Sequence, residues 1–124
     1  MTRILLAEDN VILAKVLGFA LEAKGFSVQV AHDGRAALEF AQQDVFDVVI
    51  TDYAMPEMNG ADLCRHLRAD GRYNHTPFIM LSAFCQDLDM TKLHDELRLS
   101  AFFSKPFKPA DLIKNVEVLT ECHA

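Results

Sequence analysis

Ile4-Leu5-Leu6-Ala7-Glu8-Asp9-Asn10 is a short unbroken apolar run that stops abruptly at two acids and an amide. A strand with one wet face alternates apolar and polar residues. An unbroken run instead points to a strand covered on both faces, as in a parallel sheet. Working outward, Val11 to Lys24 carries Leu13, Val16, Leu17, Ala20 and Leu21 at helical spacing, and Gly25 is suited to end that helix at C′. Ser27 to Ala31 alternates and reads as a second strand, Asp33-Gly34 as a turn, and Arg35 to Gln43 as a short helix. Val48-Val49-Ile50 is a third strand that stops at Thr51-Asp52. Tyr53 to Gly60, with its Pro, Asn and Gly, is a loop, and Ala61 to Arg68 is a helix. Phe78 to Leu81 is a fourth strand, entered through Pro77 and left through Ser82, and Asp87 to Leu97 a fourth helix. Ala101-Phe102-Phe103 is a fifth strand followed by Ser104-Lys105-Pro106, and Pro109 to Thr120 a closing helix with Pro in its first turn.

Strand and helix alternate throughout, which predicts parallel strands joined by right-handed crossovers. The expected fold is α/β: a doubly wound five-stranded parallel sheet in the flavodoxin-like order 2-1-3-4-5, with helices on both faces. A chain of 124 residues is expected to form a single domain over 1–124, and its 51% hydrophobic content can supply a core.

Net charge is −6, and the Lys and Arg residues are scattered. Nucleic-acid binding needs clustered cations against phosphate, so no direct nucleic-acid contact is expected. The apolar run near Met1 is too short for a signal peptide or a membrane span, which predicts a cytoplasmic protein. Cys64, Cys85 and Cys122 lack CxxC spacing and read as free thiols. The histidines show no metal-ligand spacing, so surface or half-buried places are expected for them.

Polar residues fall where the strands end. Ligands of open parallel sheets bind beyond the carboxyl ends of the strands, at the switch point in strand order. Glu8 and Asp9 end strand one, Asp52 ends strand three, Ser82 ends strand four and Lys105 follows strand five. In the order 2-1-3-4-5, strands one and three are neighbours there, so three carboxylates share one crevice with a hydroxyl and an ammonium. Lys105 offsets one charge and leaves about −2, an all-oxygen cluster suited to Mg²⁺. A cation there would shield an incoming phosphoryl group, one carboxylate could attack phosphorus, and Lys105 and Ser82 could hold the remaining oxygens.

These motifs are the ones a response-regulator receiver domain carries, and the sequence resembles that family of two-component signalling systems over essentially its whole length. The matching elements are LLAEDN with Glu8 and Asp9, ITDYAMPEMNG with Asp52, IMLSA with Ser82, and FFSKPF with Lys105 and Pro106. The resemblance implies that Asp52 accepts a phosphoryl group from a sensor histidine kinase, a histidine phosphotransfer protein or a small phosphodonor. It implies Mg²⁺ held by Glu8, Asp9, Asp52 and the Ala54 backbone carbonyl, and a cis Lys105–Pro106 peptide. It also implies a switch in which Ser82 moves toward the phosphoryl group and Phe102 turns inward, changing contacts with a downstream protein target. Chemistry beyond self-phosphorylation and dephosphorylation is not implied, so the chain is not expected to be an enzyme in the ordinary sense.

Two departures from the family stand out. Phe102 occupies a position more often held by tyrosine and lacks its hydroxyl. Arg98-Leu99-Ser100 replaces a glycine-rich turn before strand five. Ala54 and Phe84, flanking the site, are expected to influence water access and so the phosphorylated lifetime. An aspartyl-nucleophile hydrolase would want a second Asp at the position of Ala54, and a flavin or nucleotide binder a glycine-rich loop where Glu8-Asp9-Asn10 stands. The remaining alternative is a non-phosphorylated docking protein of the same fold. The presence of all five site residues argues against it.

Overall fold

The computed structural model describes residues 1–83 and 90–121. In chain order the elements are β1 (Arg3–Ala7), α1 (Val11–Ala23), β2 (Ser27–Ala31), α2 (Gly34–Gln43), β3 (Val48–Asp52), α3 (Gly60–Arg68), a 3-10 turn (Gly71–Tyr73), β4 (Phe78–Ser82), α4 (Met90–Leu97), β5 (Ala101–Ser104) and α5 (Pro109–Glu121). The expected start of the fourth helix at Asp87 lies outside the described residues, as do Phe84, Cys85 and Cys122.

All strand pairings are parallel and their order is β2-β1-β3-β4-β5, the order expected from the sequence. The strand period of two divides the core between the faces. Ile4, Leu6, Val48, Ile50, Ile79 and Leu81 pack with Leu17 and Leu21 of α1 and Leu112 and Val116 of α5. Leu5, Ala7, Val49, Phe78 and Met80 pack on the other side with residues of α2, α3 and α4. Double coverage explains why β1, β3 and β4 read as unbroken apolar runs.

Helix starts follow local chemistry. Asn10, Asp33 and Asn59 are extended N-caps whose side chains accept from the amides of Leu13, Ala36 and Asp62 at 3.1, 2.7 and 2.8 Å. Each such cap contributes about 1 kcal/mol. Gly25, at φ 93°, occupies the left-handed place after α1 that its residue type predicts. Asn59-Gly60, expected to close the loop that starts at Tyr53, is the cap and first residue of α3.

Candidate phosphorylation site

The ends of four strands and the loop after β3 build the site. Glu8 follows β1 directly, and its amide donates to Ala31 O at 2.9 Å, extending the β1–β2 ladder by one residue. Asp52 and Ser82 are the last residues of β3 and β4. Lys105 follows β5, and its amide donates to Ser82 O at 2.8 Å. The parallel register thus sets every one of these residues on the same edge of the sheet. The Lys105–Pro106 peptide is cis.

The side chains converge. Lys105 Nζ donates to Glu8 Oε1 at 2.8 Å and lies 3.2 Å from Asp52 Oδ2. Glu8 is fully buried, and its second oxygen accepts from the Asn10 amide at 3.1 Å. Asp52 is 5% exposed and Ser82 1%, whereas Asp9 and Ala54 are exposed and Phe102 is half-buried against the α2–α4 face of the core. The site is therefore a buried base with an open rim.

Its electrostatics follow from that placement. Burial, reinforced by the Glu8 charge, pushes the Asp52 carboxyl up to about 7 against the pull of Lys105. Burial works against the Lys105 ammonium, but the hydrogen bond to Glu8 and the charges of Asp52 and Glu8 outweigh it and raise its pKa. Carboxylate oxygens of Glu8, Asp9 and Asp52 lie within 4.8 Å of one another. A donor set of carboxylate oxygens alone, with one member open to water, fits a hard cation such as Mg²⁺.

The loop between β3 and α3 forms the rim. Tyr53 N donates to Leu81 O at 2.8 Å and Gly60 N to Tyr53 O at 2.7 Å, which pins the loop at both ends. Glu57 takes a left-handed conformation, φ 71°, in its middle. Gly60 packs its bare Cα against Asp52: a Cβ there would lie 2.2 Å from Asp52 O. Two neighbours of the site escaped the sequence reading. His32 Nδ1 lies 3.2 Å from Glu8 O, and Gly34 abuts the loop at Met58. Close backbone approach leaves no trace in hydropathy; Asp33-Gly34 and Asn59-Gly60 could only be seen as turn signals.

The fold and this acidic strand edge define a class, and comparison with known families agrees. Residues 4–117 match the family model for the response regulator receiver domain. The chain belongs to that family. It is 38% identical over 114 residues to the DNA-binding response regulator MtrA of Mycobacterium tuberculosis strain H37Rv, an alignment covering 92% of this chain and 48% of that protein. It is 37% identical over 119 residues to the transcriptional regulatory protein CpxR of Escherichia coli K12, covering 96% of this chain and 49% of that one. The chain thus spans about half the length of these relatives. Among solved structures it superposes on the chemotaxis response regulator CheY4 of Vibrio cholerae with TM-score 0.86 at 30% identity, over 94% of this chain and 97% of that one. It superposes on the receiver domain of the Francisella response regulator 1452 with TM-score 0.87 at 29% identity, over the full length of both. Phosphorylation-based signalling is the activity of this family. Among the described residues, no helix is long and apolar enough to cross a membrane.

Proposed function

We propose that Asp52 is the phospho-acceptor of a two-component phosphorelay and that its phosphorylation switches protein–protein contacts. The observation that carries this reading is the placement of Lys105 Nζ between the buried carboxylates of Glu8 and Asp52, beside the open carboxylate of Asp9. An Asp52 oxygen forms a bond to phosphorus while the donor's histidine nitrogen–phosphorus bond breaks, and the nitrogen leaves with a proton. Asp52 must be ionised to attack. Lys105 favours that state, and Mg²⁺ bound by Glu8, Asp9, Asp52 and the Ala54 carbonyl would add charge neutralisation. Lys105 and Ser82 then hold phosphoryl oxygens. The chain turns over only its own phosphoryl group, by self-phosphorylation and self-dephosphorylation.

A phosphoryl group adds roughly one to three charge-assisted hydrogen bonds, each worth about 1.5–3 kcal/mol. Two or three of them reach the ~5.5 kcal/mol that inverts a two-state population. Packing at Phe102 relays the state, since that side chain has no hydroxyl to exchange. The donor is a sensor histidine kinase or histidine phosphotransfer protein. An apolar groove of about 560 Å³ beside Lys105, lined in part by Leu13, Val16, Pro106 and Phe107, offers it a surface. Ile12 and Phe19 of α1 are 75% and 80% exposed nearby in sequence, which suits a protein partner. We assign this receiver a cytoplasmic place and a downstream protein target, with no nucleic-acid contact of its own.

Incubation with Mg²⁺ and acetyl phosphate followed by intact-mass measurement tests the proposal. One hydroxylamine-labile phosphoryl group, absent in Asp52→Ala, is the expected result. No adduct with acetyl phosphate or a phosphoramidate would leave the non-phosphorylated docking role in its place.

A further inference from the structure

Gly34 is the first residue of α2, and its φ is not in the left-handed region, so conformation does not require glycine there. Contact does. A Cβ on Gly34 would lie 2.1 Å from the carbonyl oxygen of Met58 and 2.8 Å from its carbonyl carbon. To reach ordinary contact, that carbonyl would have to retreat by roughly 1 Å. Its freedom to do so is lopsided. The loop is fixed at its start by Tyr53 N to Leu81 O and closed at its end by Gly60 N to Tyr53 O. Gly60 itself is jammed against Asp52 O. A push at Met58 is therefore taken up between Ala54 and Glu57, the stretch that carries the proposed carbonyl ligand.

We propose that Gly34 is a positioning residue for the acceptor site: its bare Cα is the seat on which the Met58 backbone rests, and it sets the height of the loop that presents the Ala54 carbonyl. The Asp33 cap supports the seat, because its hydrogen bond to the Ala36 amide at 2.7 Å fixes where the first turn of α2 begins. This inference rests on the phospho-acceptor reading above. It adds that α2, which supplies no ligand, tunes metal affinity through one backbone contact. Residues that orient metal ligands from outside typically change metal affinity about 10- to 100-fold when altered.

The test is a graded glycine series with Mg²⁺ binding measured directly by calorimetry, and folding followed by far-UV circular dichroism. Alanine is the better helix former, so without the Met58 contact Gly34→Ala would be harmless or stabilising. Gly71→Ala, with nothing within 4 Å of its Cβ, and Gly18→Ala, at 3.7 Å from Val30, are the controls. The expected result is Mg²⁺ affinity weaker by about tenfold in Gly34→Ala alone. Its phosphorylation should recover at saturating Mg²⁺, a loss in apparent affinity rather than in maximal rate. A folded Gly34→Ala chain that binds Mg²⁺ within twofold of the unaltered protein overturns the inference. Should Gly34→Ala not fold, Asp33→Ala and Asp33→Asn decide. Both lose the charge but only the alanine loses the cap, so weaker Mg²⁺ binding in Asp33→Ala alone supports the seat, and equal binding removes it. An unaltered chain that binds no Mg²⁺ sinks the acceptor reading first, and this one with it.

Discussion

Lys105 Nζ reaches Glu8 Oε1 at 2.8 Å, closer than its 3.2 Å approach to Asp52 Oδ2, so Glu8 holds the ammonium more closely than Asp52 does. Two consequences follow from one cation standing in a carboxylate cluster. Without metal it offsets part of the repulsion between Glu8 and Asp52. With metal it competes, because a second cation must enter beside it and Glu8 already has both oxygens engaged. Lys105→Met is therefore expected to bind Mg²⁺ at least severalfold more tightly while losing phosphoryl transfer. Calorimetric titration beside an acetyl phosphate time course separates the two effects. Weaker Mg²⁺ binding in Lys105→Met would contradict the competition.

The Asp52 carboxyl makes stability depend on pH. Its ordinary value is 3.8 and burial pushes it to about 7 in the folded chain. Between those values the folded state keeps a proton that the unfolded state has released, so this group's contribution to stability falls as pH rises from about 4 to about 7. Asp52→Asn cannot titrate. In EDTA it is expected to be more stable than the unaltered protein above pH 7, by on the order of 3 kcal/mol, with the difference vanishing toward pH 4. Urea unfolding at pH 5, 6 and 8 reads this directly. A difference that stays constant across the series contradicts it.

Sequence alone carried the sheet order and the strand-end residues, and for a physical reason. Doubly covered strands write themselves as apolar runs, and a run must end where its polar site begins. What it did not carry is contact between elements distant in the chain. Tyr73 is fully buried: its hydroxyl shares its one proton between Ala41 O and Asp44 O, at 2.8 and 2.9 Å, and accepts from Phe46 N at 3.3 Å, closing the end of α2. Nothing in Gly71-Arg72-Tyr73 announces that contact or the 3-10 turn that holds it. Gly34 and Gly60 are similar, since a missing Cβ has meaning only when the opposing backbone is known.

Arg68 is the strongest example of such a contact. Its guanidinium donates to Leu97 O at 2.8 Å, Tyr73 O at 2.6 Å and Arg98 O at 3.0 Å, and stacks 3.7 Å from the centre of the Phe78 ring. One side chain thus joins α3, the 3-10 turn, the end of α4 and β4. Burial, with Arg98 adding to it, lowers its pKa. Arg68→Ala is expected to cost roughly 3 kcal/mol by urea unfolding, because three carbonyls lose a charged donor at once. Arg68→Lys should recover less than half, since a compact ammonium cannot span the three acceptors or stack as a plane. Full recovery by lysine would show that charge alone matters at this position.

Arg98 offers the opposite experiment, a place where the chain has room to gain stability. Leu99 N donates to His94 O at 3.3 Å, the long-range bond of a Schellman ending, which makes Arg98 the residue just past α4 at φ 54°. Glycine is the usual occupant of that position because a Cβ in the left-handed region costs energy. Arg98→Gly should therefore stabilise the fold by about 0.5–1 kcal/mol, the lost strain exceeding the extra entropy of an unfolded glycine. The Arg98 carbonyl stays available to Arg68, so the anchoring of α4 is unchanged. Arg98→Ala provides the control, since it also removes the charge facing Arg68 but keeps the Cβ. Thermal melts should rise for the glycine variant alone. An equal rise in both would assign the gain to relief of charge repulsion with Arg68 rather than to the backbone.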